Sequence, residues 1–382
     1  MTDKLELELV DSPKLSGGVI DNITSFAASI GLESPNECNI ELGDDGSFAE
    51  IEQAVGPGAR YSVRLNGRKI VSGRVEANDQ PLDAQAGAVV RFTVRSWLAD
   101  AWMTSADPTL TFKGNLAEWL YALYARIGVG PDQFVFNSAA SRQLRTGVRT
   151  GGSQALKLTK LKVEEARVQP GETIYAAADR LLRRSGLMHW DGHDDTIVVG
   201  FPDNDQDPLY FLQAKRGAAG AGNNLLGLTR TRDYSSVPSY VAVHGIAPGP
   251  PRTRIARAAV DQDAVDAGFM RPVHIVAEGI RNAAAAQNAA ERELSARIKD
   301  KDILQTEYPG LSYLDPRSGQ QIAFAPDTMA SFESDTAGSG LYYVRAIELS
   351  RDAHAGDTAR ITGMRKGLWR LFPEAFEGAL RA

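Results

Sequence analysis

The chain has one cysteine, Cys38, and five histidines. A single thiol excludes an intramolecular disulfide framework, and it cannot furnish a multi-cysteine zinc site, which draws on four ligands and usually two or more thiolates. Cys38 is therefore expected as a small core side chain. Positive charge is not in excess: 42 Lys and Arg face 48 Asp and Glu, a net charge of −6, which disfavours general binding to phosphate backbones. No uninterrupted apolar run approaches the roughly 18 residues of a membrane helix. The opening MTDKLELELV lacks the apolar segment of a secretory signal. A protein made and kept, or assembled, in the cytosol is expected.

What is present is an ordinary globular composition, 43% hydrophobic, 24% charged and 8% aromatic over 382 residues. That length suits roughly two or three domains. The first hundred residues alternate with period two: Leu5, Leu7 and Leu9 against Glu6 and Glu8, then Cys38, Ile40 and Leu42. From Tyr61 to Val75 two alternating runs flank Asn66-Gly67, the signature of a hairpin with a type I′ turn. Val90, Phe92 and Val94 follow and run into Trp97, Leu98 and Trp102. Successive strands with short turns predict a small antiparallel barrel or sandwich.

Helical spacing begins at Asn115, where Glu118 can complete a capping box and Leu116, Trp119, Leu120, Leu123 and Ile127 form a stripe ended by Gly128 and Gly130. Residues 134–163 read as a loop that holds Arg142, Arg145, Arg149, Lys157, Lys160 and Lys162 and no acid. It is either a solvated loop or a contact for an acidic partner or phosphate. Pro170-Gly171-Glu172-Thr173 opens a second helix, closed by Gly186, and a strand-turn-strand follows through Asp191-Gly192-His193-Asp194-Asp195. Beyond a Gly/Ala stretch at 216–224, strands are expected at 239–244, 273–277, 303–308, 321–324, 341–349 and 358–362. Among them, Ile280, Ala283, Ala284, Ala290, Leu294 and Ile298 mark a helix with a narrow apolar seam, expected to dock on its own barrel and a candidate interface.

Catalytic patterns are scarce. There is no G-x-S-x-G, H-E-x-x-H, Walker-type loop or EF-hand. Gly220-Ala-Gly222-Asn-Asn-Leu225 lacks the third glycine of a dinucleotide fingerprint and reads as a linker. His189 and His193 beside Asp194 and Asp195 could offer imidazole and carboxylate to a metal, but Asp191-Gly192 is what a tight turn needs, and the turn is the better reading. His244, His274 and His354 stand alone in sequence, and Trp97, Trp102 and Trp119 lie on patterns expected in a core. No catalytic, cofactor-binding or metal-binding residue is assigned, and an enzyme is not expected.

The order of these parts resembles the phage tail hub proteins of the Mu-like baseplate hub and late control protein D family. The residues that carry it are Ile70-Val71-Ser72-Gly73-Arg74-Val75, the strand from Val89 to Trp97 ending at Leu98 and Asp100, the helix after Phe112, and Val168-Gln169-Pro170-Gly171-Glu172-Thr173-Ile174 leading to Leu187-Met188-His189-Trp190. Asn224-Leu225-Leu226, Arg230 to Val243, and Tyr342 to Leu349 with Gly356-Asp357-Thr358 are similar to the family's second barrel. The resemblance covers about residues 1–370.

It implies an α+β, mainly β chain of two small antiparallel barrel-like domains with an intervening α/β domain: 1–106, 107–205 and 206–382, the last with an inserted helix near 279–298. It also implies a homotrimeric hub in a virion baseplate, assembled in the host cytoplasm. Such a hub adapts a sixfold tail tube to a threefold spike, contacts other baseplate proteins, and lets DNA pass without specific binding. A tail-associated peptidoglycan hydrolase and the equivalent hub of a tailocin or secretion-like particle are the alternatives.

Overall fold

In the computed structural model, residues 3–11, 19–43, 56–79, 82–83, 87–136, 162–184, 186–215, 222–247, 253–277, 280, 282–352 and 355–370 are described. The chain opens with β1 (Leu5–Asp11), β2 (Val19–Ile20), β3 (Ile23–Gly31), β4 (Glu37–Gly43), β5 (Arg60–Leu65), β6 (Arg68–Asp79), β7 (Leu82–Asp83) and β8 (Gly87–Arg95). They pair antiparallel in the order β3-β4-β8-β6-β5-β1-β2, with β7 on β8. The period-two residues point inward as their pattern requires: Leu5, Leu7 and Leu9, Cys38, Ile40 and Leu42, and Val90, Phe92 and Val94 are all buried. Asn66 and Gly67 both take positive φ, 51° and 78°, as a type I′ hairpin demands.

A middle section follows: α1 (Trp97–Met103), β9 (Thr111–Asn115), α2 (Leu116–Tyr124), β10 (Phe134–Phe136), β11 (Lys162–Arg167), α3 (Ile174–Arg184), β12 (Met188–Asp191) and β13 (Ile197–Gly200). The capping box forms: the Glu118 backbone N–H donates to Asn115 Oδ1 at 2.9 Å while Glu118 accepts from the Asn115 N–H. Gly186 has φ 71° just past α3. Trp97, Trp119, Leu120, Leu123, Ile174 and Leu182 share a core with their neighbours. Two expectations are corrected. The stretch read as a loop from Phe134 begins as β10, parallel to β13, because a three-residue strand is too short to show a period. Trp102 is not core: it is 42% exposed and lies against Tyr175 with ring centroids 4.6 Å apart.

The remainder is β14 (Tyr210–Ala214), β15 (Gly227–Arg232), β16 (Tyr240–Ala247), β17 (Thr253–Val260), α4 (Gln262–Asp266), β18 (Pro272–Val276), α5 (Ala283–Ile298), β19 (Asp302–Pro309), β20 (Ser312–Leu314), β21 (Gln321–Ala323), β22 (Thr328–Ser334), β23 (Gly338–Asp352) and β24 (Gly356–Arg365). Strands β14, β15, β17, β20 and β22 are additions to the sequence expectation. β22 buries Thr328, Met329 and Ala330 in succession and alternates only from Ala330 to Ser334, which leaves a short period. β17 is Ala-rich and largely exposed, which hides its period.

β23 joins the two β-rich parts. Its first half, Gly338 to Val344, pairs with β22; after a register shift, Ala346 to Arg351 pairs antiparallel with Arg351↔Phe26 through Ala346↔Gly31 of β3. One sheet therefore runs β15-β19-β24-β23-β3-β4-β8-β6-β5-β1-β2, and one hydrophobic cluster extends from Leu5 to Ile361. Asp3 fastens the same union from the other end. Its carboxylate accepts the backbone N–H groups of Leu311 and Ser312 at 2.7 and 3.1 Å, the Ser312 hydroxyl at 2.5 Å and Asn66 Nδ2 at 2.8 Å.

Helix α5, capped by Asn282, docks inward: Ala289, Ala290 and Leu294 are buried in a cluster with Val241, Val243 and Ala259, and Ile280 and Ile298 pack against it, whereas Ala284 of the expected seam is exposed. The seam is thus spent within the chain, on a separate three-stranded sheet ordered β17-β16-β18, and is not an open interface.

Two substitutions test this packing. A Cβ on Gly73 would lie 1.8 Å from the Arg95 carbonyl oxygen, where β6 crosses the end of β8. Gly73→Ala is expected to cost about 3 kcal/mol or more in a denaturant titration, while Gly56→Ala, with nothing within 4 Å, stays within about 0.5 kcal/mol. Asp3→Ala, which strands two buried backbone N–H groups, is expected to lower stability by roughly 2–4 kcal/mol in the same assay.

Candidate functional site

The strand-turn-strand from His189 to Asp195 is where the sequence gathers imidazole and carboxylate. Gly192 and Thr196 close the turn, the Gly192 N–H donating to the Thr196 carbonyl at 2.6 Å, and Asp195 takes φ 61°. His189 is fully buried, its Nε2 2.6 Å from the Tyr124 hydroxyl and its ring stacked on Tyr175 at 4.5 Å. Burial, with a smaller push from Arg183, lowers the imidazole to about 3, so it is neutral at physiological pH. Burial likewise lowers His193.

Asp191 ends β12 and is 6% exposed. Its Oδ2 accepts the Ser96 hydroxyl at 2.5 Å and the Asn36 backbone N–H at 2.8 Å. Burial pushes its carboxyl up to about 7 despite these donors. Asp195 is raised by burial, opposed by Arg60, whose Nη2 stands 2.7 Å away. A carboxyl near pH 7 is what a general acid would use, but general acid work needs reach to a substrate. Asp191 instead has its oxygen engaged by Ser96 and Asn36. These groups tie the β12–β13 turn to the loop after β3, to the start of α1 and to β5. They form a joint, and among the described residues no group of three or more His, Cys, Asp or Glu is placed to hold a metal.

A second buried charge cluster plays the same part elsewhere. Lys301, 2% exposed, donates to both Asp261 oxygens at 2.6 and 2.8 Å and to Asp263 at 3.0 Å, joining the end of β17 to the start of β19. Burial works against its ammonium, and the two carboxylates outweigh that, leaving its pKa above the usual lysine value. Neither Lys301 nor Asp3 carries a sequence signal, since the partners of Lys301 lie 38 and 40 residues away and those of Asp3 lie 63 and more than 300.

The remaining candidates separate. Arg142, Arg145, Arg149, Lys157 and Lys160 lie outside the described residues, as do Gly220 and His354. Lys162 opens β11. Asn223 and Asn224 serve β14: their side-chain oxygens accept the Lys215 and Gln213 backbone N–H groups, both at 2.8 Å. Cys38 is buried, and burial pushes its thiol well above its usual pKa, which leaves it unreactive. His244 and His274, isolated in sequence, are brought together by the parallel pairing of β16 with β18, their Nε2 and Nδ1 atoms 3.1 Å apart.

Two surfaces of the described residues stand open. One is the outer face of the joined sheet, where a hollow of about 390 Å³ spans β24, β23, β3 and β4, lined in part by Ala27, Ser29, Asn39, Glu37, Glu348 and Arg360. Two of its carboxylates are paired, Glu348 with Arg360 at 3.3 Å and Glu37 with Arg95 at 2.7 Å, and Glu307 of β19 also lines it. The other is the face of β17-β16-β18 turned away from α5, which carries Ile246, Val260 and Val276 at 58%, 54% and 83% exposure.

Neither the family models nor the curated proteins include a match to this sequence. Solved structures do match in fold. A tail protein from Neisseria meningitidis MC58 superposes with a TM-score of 0.73 at 16% identity, over 97% of this chain and 98% of that one. The 43 kDa tail protein of prophage MuSo2 from Shewanella oneidensis gives the same score and identity over 96% and 99%. A type VI secretion component of E. coli, described as structurally similar to the T4 tail proteins gp27 and gp5, gives 0.55 at 11% identity over 96% and 79%. The chain has the fold of phage tail proteins, mainly β with several sheets.

The joint makes a pH prediction. Asp191 has a folded pKa of about 7 against an ordinary value of 3.8, so the folded state holds the proton more tightly. Its stabilising contribution is complete below pH 3.8 and is lost as pH rises through 7. Asp191→Asn removes this term: the unfolding free energy of the wild type relative to the variant is expected to fall between pH 4 and pH 7, by up to about 1.4 kcal/mol per pH unit, and to level off above that. A difference that stays flat with pH would refute it.

Proposed function

We propose that this chain is a structural hub of a phage tail baseplate, or of a related tailocin or secretion-like particle, and that it performs no catalytic step. It forms a homotrimeric ring that adapts a sixfold tail tube to a threefold spike or tip protein and contacts other baseplate proteins. The ring is assembled in the host cytoplasm and carried in the virion. The domain division 1–106, 107–205 and 206–382 belongs to this proposal, the first and last being the barrel-like units.

The observation that carries the proposal is the β3–β23 pairing, which joins the β-rich part at the start of the chain edge to edge with the one at its end; we read these parts as the two barrel-like halves. Three such chains closed about a threefold axis present six similar units to a tube and three identical ones to a spike. The fold likeness to tail proteins, over almost the whole of both chains, supports the same reading. The net charge of −6 suits a conduit through which DNA slides without being held.

Light scattering after size exclusion tests closure. A particle of three times the 41.2 kDa chain mass, unchanged between low and high salt, is expected of a ring held by buried apolar surface. A monomer or dimer at both salts and at high protein concentration would overturn the autonomous ring and favour the enzymatic alternative, which loss of turbidity in a cell-wall suspension would reveal.

A further inference from the structure

The histidine pair on the open face of β17-β16-β18 has the geometry of a chelate. His244 lies on the central strand β16 and His274 on β18, and the parallel register Ala242↔His274, His244↔Val276 sets them diagonally on one face. His244 Nε2 and His274 Nδ1 stand 3.1 Å apart, with ring centroids at 5.4 Å and the planes inclined by 29°. Donors bound to one transition-metal ion at about 2.0–2.1 Å lie about 2.9 Å apart at a right angle and about 3.4 Å apart at the tetrahedral angle. The observed separation falls between these limits. Without an ion the same pair makes an N–H···N hydrogen bond. Binding needs a change of tautomer and a tilt of the two rings that turns both lone pairs onto one ion: with His244 protonated on Nδ1 and His274 on Nε2, both facing nitrogens present lone pairs, and no net proton is lost.

The surroundings select the ion. β16 is hydrogen-bonded on both sides, to β17 and β18, which fixes both backbones. The Tyr240 ring meets the His274 ring edge-on at 5.9 Å, steadying it. The side chains flanking the pair on this face are Ala242, Ala256, Ala258 and Val276, and the face's charged residue, Arg254, sits opposite Ile246. Among the described residues no carboxylate lies beside the imidazoles, so the pair has little affinity for Mg²⁺ or Ca²⁺ and suits a borderline ion.

We propose that His244 and His274 form a bidentate, surface-exposed site for a divalent transition-metal ion of the Cu²⁺, Ni²⁺ or Zn²⁺ class, its remaining coordination positions open to solvent. This site is independent of the hub proposal. Titration of Cu²⁺ and Ni²⁺ into the untagged full-length chain, followed by calorimetry, should show one saturable site per chain. The electron paramagnetic resonance of the Cu²⁺ form should report two imidazole nitrogens. His244→Ala and His274→Ala should each lower affinity about tenfold or more, and the double variant should lose little beyond either single one. Circular dichroism confirms that the variants fold, and His274→Asn provides a second variant of similar polarity. His354→Ala should bind as the wild type does. Absence of a saturable site, unchanged affinity in folded His244 and His274 variants, or loss of binding in His354→Ala would each overturn the proposal.

Discussion

The pairing of β3 with the second half of β23 is the constraint on which the rest of the chain depends. Without it, two modest β units would each carry an exposed edge and a partial core. With it, the ladder is continuous and aromatic and aliphatic side chains from both ends of the sequence occupy one interior. The register shift between Val344 and Ala346 is the geometric means: it lets a single fifteen-residue strand leave β22 and take up β3 while β24 stays alongside. Asp3 reinforces the union where hydrophobic contact ends, by satisfying backbone donors of the β20 hairpin that would otherwise be buried unpaired.

Much of the architecture was legible because local chemistry and tertiary context agree. Asn66-Gly67, the Asn115–Glu118 box and Gly186 each encode a backbone geometry that no long-range contact has to impose. The alternating strands of the first hundred residues announce which side chains face inward. Legibility fails where periodicity does. β22 begins with three buried residues in a row, β17 is Ala-rich and mostly solvated, and β10 is three residues long. Trp102 shows the opposite failure, a large aromatic close in sequence to the buried Trp97 and Leu98 that nevertheless ends on the surface.

The candidate site was legible as composition but not as role. His189, Asp191 and Asp195 are gathered by a short turn, which the sequence shows. Their partners Asn36, Arg60, Ser96 and Tyr124 come from four other segments and turn an apparent ligand set into a joint between sheets. The neutral imidazole and the carboxyl raised by burial are consequences of enclosure. The same long-range assembly brings His244 to His274 across 30 residues, a proximity that spacing alone does not suggest.

The position of β23 in the chain governs how the molecule must be made. Ile30 awaits Ile347, a partner synthesised roughly 300 residues later, so β3 leaves the ribosome long before its neighbour exists. Throughout that interval the nascent chain displays an unpaired strand edge. The β23 of another copy can satisfy it with the same hydrogen bonds, so dilute, slow production favours the correctly closed chain and crowded synthesis favours exchanged strands.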